Sequence, residues 1–107
     1  MAEIGARTTG SGVNDNDTVI QISNALSFDT FNLMSTAGAM DVFVSLDGTN
    51  FTTAALSLTD QGASAADPVL VTAANRCYGF RGKYQTVLVR QNGATAVENA
   101  TMTYGSM

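Results

Sequence analysis

Met40-Asp41-Val42-Phe43-Val44-Ser45-Leu46 runs straight into Asp47-Gly48-Thr49-Asn50, and this stretch decides the fold. Met40, Val42, Val44 and Leu46 are apolar and alternate with Asp41, Phe43 and Ser45. A period of two is the mark of a strand with one face in a core. Phe43 is the exception on the other face, expected either beneath a loop or open to a partner. Asp-Gly between two β-runs signals a hairpin, because both residues tolerate positive φ. Phe51–Thr53 would begin the return.

The same grammar extends in both directions. Upstream, Thr18–Ser23 (TVIQIS) reads as a strand. Phe28–Met34 (FDTFNLM) alternates, with Asp29, Phe31 and Leu33 on one side and Phe28, Thr30 and Asn32 on the other. Downstream, Ala55–Thr59 is a short run and Asp60–Asp67 a loop. Pro68 opens Val69–Thr72, a position where proline is tolerated. Cys77–Phe80 and Tyr84–Gln91 follow, joined across Arg81-Gly82-Lys83. Tyr84–Gln91 has apolar groups on both faces, which predicts a central strand. Asn92-Gly93 is the strongest turn signal, and Val97–Tyr104 returns from it. A strict two-residue turn would set Leu88 opposite Val97; a longer loop ending after Thr95 leaves the register open.

The Ala-rich pieces Thr53–Leu58 and Ala63–Ala66 are too short for stable helices. The chain is therefore expected to be all-β: an antiparallel β-sandwich or jelly roll of about seven to nine short strands, with a small barrel as second choice. Residues 1–17, rich in Gly, Thr and Asn, read as a flexible, extended N-terminal arm that Ile4 could anchor, and 18–107 as a single sandwich domain.

Composition narrows the function classes. Charged residues make up 13% of the 107, well below the usual quarter, and hydrophobic residues 45%. Such a surface suits life packed against other proteins, although Thr-rich sheet faces also lower the charge. The net charge of −4 gives no global field for nucleic acid. Residues 1–75 carry Arg7 as their one base among eight acids, whereas 76–107 carry Arg76, Arg81, Lys83 and Arg90 against Glu98. That asymmetry could dock copies on one another or on an acidic partner. No apolar leader or membrane-length run is present, so synthesis in a cytoplasm and no membrane partner are expected.

Catalytic motifs are missing. The chain has no His, which removes the commonest base, metal ligand and nucleophile activator. Cys77 has no second Cys with which to hold zinc. Its Arg neighbours could lower its pKa, but a small core residue is the plainer reading. Asn14-Asp15-Asn16-Asp17 clusters oxygens as a calcium loop does, yet it lacks the Gly and distal Glu of an EF-hand and reads as a polar turn. Tyr78, Tyr84, Tyr104 or Phe51 could form a sugar platform or pack in the core. Basic–aromatic interleaving near Arg76, Arg81 and Lys83 is too sparse for single-stranded nucleic acid. The expectation is a non-enzyme with no cofactor and no metal.

Asp41–Phe51 (DVFVSLDGTNF), Tyr78–Tyr84 (YGFRGKY) and Val89–Ala96 (VRQNGATA) together resemble small virion structural proteins of tailed bacteriophages, often capsid decoration (cement) proteins. The resemblance implies a β-sandwich or jelly-roll body on the capsid surface, without catalytic residues. It implies the major capsid protein as partner, and other copies of the chain, with a homotrimer favoured. Ile4, Arg7, Arg76, Arg81, Lys83, Arg90 and Phe43 are the interface candidates. A host-glycan-binding, fibre or neck component is the alternative.

Overall fold

The computed structural model describes residues 4–61 and 68–106. Nine strands occur among them: β1 (Ile4–Gly10), β2 (Thr18–Ser23), β3 (Thr30–Met34), β4 (Ala39–Ser45), β5 (Leu58–Asp60), β6 (Pro68–Val69), β7 (Tyr78–Arg81), β8 (Thr86–Asn92) and β9 (Ala100–Ser106). One 3-10 turn, Ala25–Ser27, is the sole helical element among the described residues. The strands form a six-stranded sheet, ordered β1-β9-β3-β7-β5-β6, facing a three-stranded sheet, ordered β2-β8-β4. Every pairing is antiparallel. The fold is an all-β sandwich, as the alternating runs require.

The core lies between the sheets. Met40, Val42 and Val44 of β4, Val87 and Val89 of β8, and Ile20 and Ile22 of β2 supply one wall. From the six-stranded sheet, Phe31 of β3 sits in register between Tyr104 of β9 and Phe80 of β7. The Phe31 and Phe80 rings stack at 4.8 Å, and Phe28 meets Tyr104 edge-on at the same distance. Such cross-strand aromatic pairs contribute beyond their buried area. β8 is central in its sheet, as its two apolar faces predict.

Of the turn signals, Asp47-Gly48 opens a short antiparallel return, while the others mark crossings between layers. β8 and β9 lie in different sheets, so Asn92-Gly93 opens a crossing between layers. Leu88 stands opposite Phe43 and Gln21, and not opposite Val97. Arg81-Gly82-Lys83 is likewise a crossing, from β7 to β8. After Asp47-Gly48 the chain returns antiparallel for a short stretch, through the bridge of Ser45 with Phe51 and the bond from Thr52 N to Val44 O. Only Gly48 of that pair takes positive φ, 85°. The Asp47 carboxylate organises the turn, accepting from Ser45 Oγ, Asn50 Nδ2 and the Thr49 and Asn50 amides. Leu46 lies beyond the end of β4 and is 75% exposed, against the expectation of a core position.

The N-terminal arm is also corrected. From Ile4 to Gly10 it is β1, paired along its length with β9 of the same chain, from Ile4 opposite Ser106 to Gly10 opposite Ala100. Residues 11–17 form a loop folded onto the end of the sandwich. Its anchor is Gln91, whose side chain is fully buried. Gln91 Nε2 donates to the Val13 and Gly93 carbonyls, and its Oε1 accepts from the Val97 amide. Residues 1–3, the side chain of Ile4 and the Ala63–Ala66 piece lie outside the described residues.

Candidate functional site

Because side chains alternate, the outer face of the six-stranded sheet can be read off the register. One row runs Arg7–Thr103–Asn32–Gly79–Thr59 across five strands; the next runs Gly5–Gly105–Thr30–Arg81. These residues are hydroxyls, amides, glycines and two arginines, with no carboxylate in either row. Arg7 and Arg81 are both exposed, and neither makes an ion pair among the described residues.

At the β3–β7–β5 end this face sinks into a cleft of about 560 Å³. Asn32, Thr59, Gln61 and Arg81 line it, with Leu56 at its side. Its floor is Gly79. A Cβ there would stand 2.7 Å from Gln61 Nε2 and 3.1 Å from Asn32 Oδ1, so glycine is what lets the two amides converge. Arg81 is held from behind: the Tyr84 hydroxyl donates to its carbonyl at 2.9 Å. Burial raises the Tyr84 pKa, which keeps that donor protonated.

The structure separates the interface candidates. Ile4 and Arg7 are on β1, with Arg7 at mid-strand on an outer edge. Arg81 shares its sheet face, three strands away, roughly 15 Å at the usual strand spacing. Arg76 is neutralised by Asp60, Nη2 to Oδ2 at 2.6 Å. Lys83 reaches the Leu26 carbonyl at 3.4 Å, beside the 3-10 turn. Arg90 is on the outer face of the other sheet, its guanidinium 3.9 Å from the centre of the Phe43 ring. Phe43 is therefore buried beneath Arg90 and not open to a partner. Arg76, Arg81, Lys83 and Arg90 do not form one docking patch.

Other candidates resolve similarly. Asp17 Oδ2 accepts the Val13 and Asn14 amides, and Asp15 Oδ1 the Gly93 amide, so both carboxylates are engaged in turns. Tyr78 is buried with its hydroxyl accepting from Ala73 N, and Tyr104 packs on Phe28 and Phe31. Cys77 is half-buried just before β7. Asn32, Gln61 and Gly79 were not singled out from the sequence. Alternation placed Asn32 opposite Phe31 and Leu33, but its convergence with Gln61 depends on β5 joining β7.

No protein-family model and no curated protein matches the chain. Among solved structures it is similar to the SPBc2 prophage-derived protein YomS, with TM-score 0.65 and 13% identity over 99% of this chain and 98% of that one. Weaker likenesses are to the Yersinia pseudotuberculosis-derived mitogen (TM-score 0.44, 10% identity, 99% and 87% covered) and to a Bacillus endospore appendage protein (0.39, 9%, 100% and 93%). At these identities the likeness to YomS is one of fold.

Proposed function

We propose that this chain is a non-enzymatic building block of a bacteriophage particle, binding the outside of the assembled capsid and bridging neighbouring shell subunits. The observation that carries this reading is the sandwich it shares, end to end, with a prophage-derived protein. Its own geometry supplies the means. β1 is an edge strand with one hydrogen-bonded neighbour, so its outward N–H and C=O groups can accept an added strand. Of the other three edges, β2, β4 and β6, the last two are less open. β4 is covered by loops, with Thr52 N and Leu56 N bonding to Val44 O and Val42 O, and Thr72 N to Met40 O. β6 is two residues long and begins with proline. Arg7, central in β1, selects a strand with an acidic residue opposite it.

Each attachment of this kind is modest. Many copies, each spanning a subunit junction or assembled as a trimer or other small oligomer, add up to high effective affinity. Because the bound state is the assembled lattice, the shell is stabilised by mass action.

Purified particles test this. The protein is expected at high copy number over the shell, and stripping it should lower the temperature at which particles burst. Arg7→Glu keeps the fold, since Arg7 is exposed, and should weaken reattachment at least about tenfold. Undiminished reattachment, or confinement to a vertex or tail, would refute the reading. Deleting residues 1–17 cannot serve as the test, because it removes β1.

A further inference from the structure

We propose that the cleft between β3, β5 and β7 is a binding site for an acidic saccharide, a unit of one or two sugar rings carrying a carboxylate. Size is the first ground. At about 560 Å³ the cleft falls within the range of small-molecule sites.

Chemistry is the second. The side-chain amides of Asn32 and Gln61 converge over Gly79, and neither is hydrogen-bonded to another described residue. Each offers a donor and an acceptor. A sugar hydroxyl likewise donates and accepts, so neighbouring hydroxyls on one ring can pair with both amides, and the Thr59 hydroxyl adds a third point. Arg81 stands at the wall, exposed and without an ion pair among the described residues. Its planar fork matches a carboxylate in two parallel hydrogen bonds. Among the described residues no carboxylate lines the cleft to compete. Leu56 supplies an apolar flank for the C–H face of a ring.

The charge requirement follows from what the lining omits. Phe31 and Phe80 touch the cleft but are buried, so among the described residues no exposed ring is there for a neutral pyranose to stack on. Affinity then has to come from the arginine. A peptide is a poorer occupant. The main-chain groups of β3 and β7 are used in the sheet, since both strands are paired on two sides, and an extended segment lying on the face finds none to bond. The site is also stiff. Asn32 is on an interior strand, and Tyr84 fixes the main chain of Arg81. It lies away from the β1 edge, so occupancy of the cleft and attachment to a shell are separate events.

The test is titration of isotope-labelled protein followed by NMR. Probes are glucuronic acid and the methyl glycoside of N-acetylneuraminic acid, with methyl glucoside, acetate and a Glu-rich peptide as controls. The acidic sugars should move the Asn32 and Gln61 side-chain amide signals with a Kd of about 1 mM. Arg81→Gln, at an exposed position, should weaken binding about tenfold. Gly79→Ala should abolish it, by placing a Cβ against both amides. The inference is overturned by any of four results: no shift of those amides at roughly 20 mM, well above that Kd; equal binding of methyl glucoside; equal response to acetate; or tighter binding of the peptide. None of these touches the particle-attachment result, so this inference and the virion reading fail independently.

Discussion

Replacing Gln91 with leucine should cost this domain much of its stability, although the new side chain is apolar and similar in size. Gln91 is fully buried and makes three side-chain hydrogen bonds, at 3.2 Å to Val13 O, 2.9 Å to Gly93 O and 3.2 Å from Val97 N. In Gln91→Leu the Val97 amide, at a buried residue, loses its acceptor, at a cost of about 1–3 kcal/mol. The Val13 and Gly93 carbonyls lie nearer the surface and can recruit water, so each of those bonds is worth about 0.5–1 kcal/mol net. The total is about 2–5 kcal/mol. For a domain of this size that lowers Tm by about 10–20 °C. Urea unfolding followed by circular dichroism should show the midpoint falling with little change in slope. A Tm drop below about 3 °C would refute the assignment of Gln91 as the anchor of the 11–17 loop.

Three further outcomes follow from the geometry. Gly10→Ala places a Cβ 1.9 Å from the Val19 carbonyl oxygen, and should lower stability by about 2–3 kcal/mol in urea titrations; a wild-type midpoint would contradict the close approach of β1 to β2. Asp47 has its pKa lowered below the ordinary carboxylate value, chiefly by the Asn50 amide. Its stabilising effect is therefore present above the unfolded-state pKa, about 4, and is lost as pH falls through the lower folded-state value. Asp47→Asn should flatten stability against pH over that acid range, and identical profiles would refute the turn's dependence on ionised Asp47. Arg90→Ala uncovers Phe43 and removes the cation–π contact, and should cost about 0.5–1 kcal/mol by chemical denaturation; a neutral result would place the ring's cover elsewhere.

Strand identity was legible where apolar alternation marks it, and was missed in β1, whose Gly5-Ala6-Arg7-Thr8-Thr9-Gly10 carries no such alternation. Alternation in Met40–Val44 and in Phe31–Leu33, with double-sided apolarity in Val87–Val89, states which side chains enter a core. Partnership was not legible. Asp47-Gly48 and Asn92-Gly93 both carry the residues a hairpin needs, but only the first leads into a short antiparallel return; at Asn92-Gly93 the same positive-φ glycine serves a chain that turns across to the facing sheet. Among the described strands only β5 and β6 pair as sequence neighbours in one sheet. Burial of Phe43 could not be read either, since its cover is Arg90, from a strand far along the chain. The basic cluster at 76–90 looked continuous on paper and was divided between two sheet faces and a loop. Conversely, the cleft gathers Asn32, Gln61 and Arg81 from three separate segments, none with a motif of its own.

The pairing of β1 with β9 bears on how the protein is made. During translation β1 leaves the ribosome about 90 residues before the strand that completes it, since Gly10 pairs with Ala100. At ordinary elongation rates that gap is roughly 5–20 s. Throughout it the nascent chain carries an orphan strand beside every other nascent chain on the same message. β1 reads Ile4-Gly5-Ala6-Arg7-Thr8-Thr9-Gly10, with short side chains, two glycines and a central charge. Such a strand binds a stray neighbour weakly. The segment that waits longest for its partner is also one that holds any other strand only weakly, so that firm attachment needs many copies acting together.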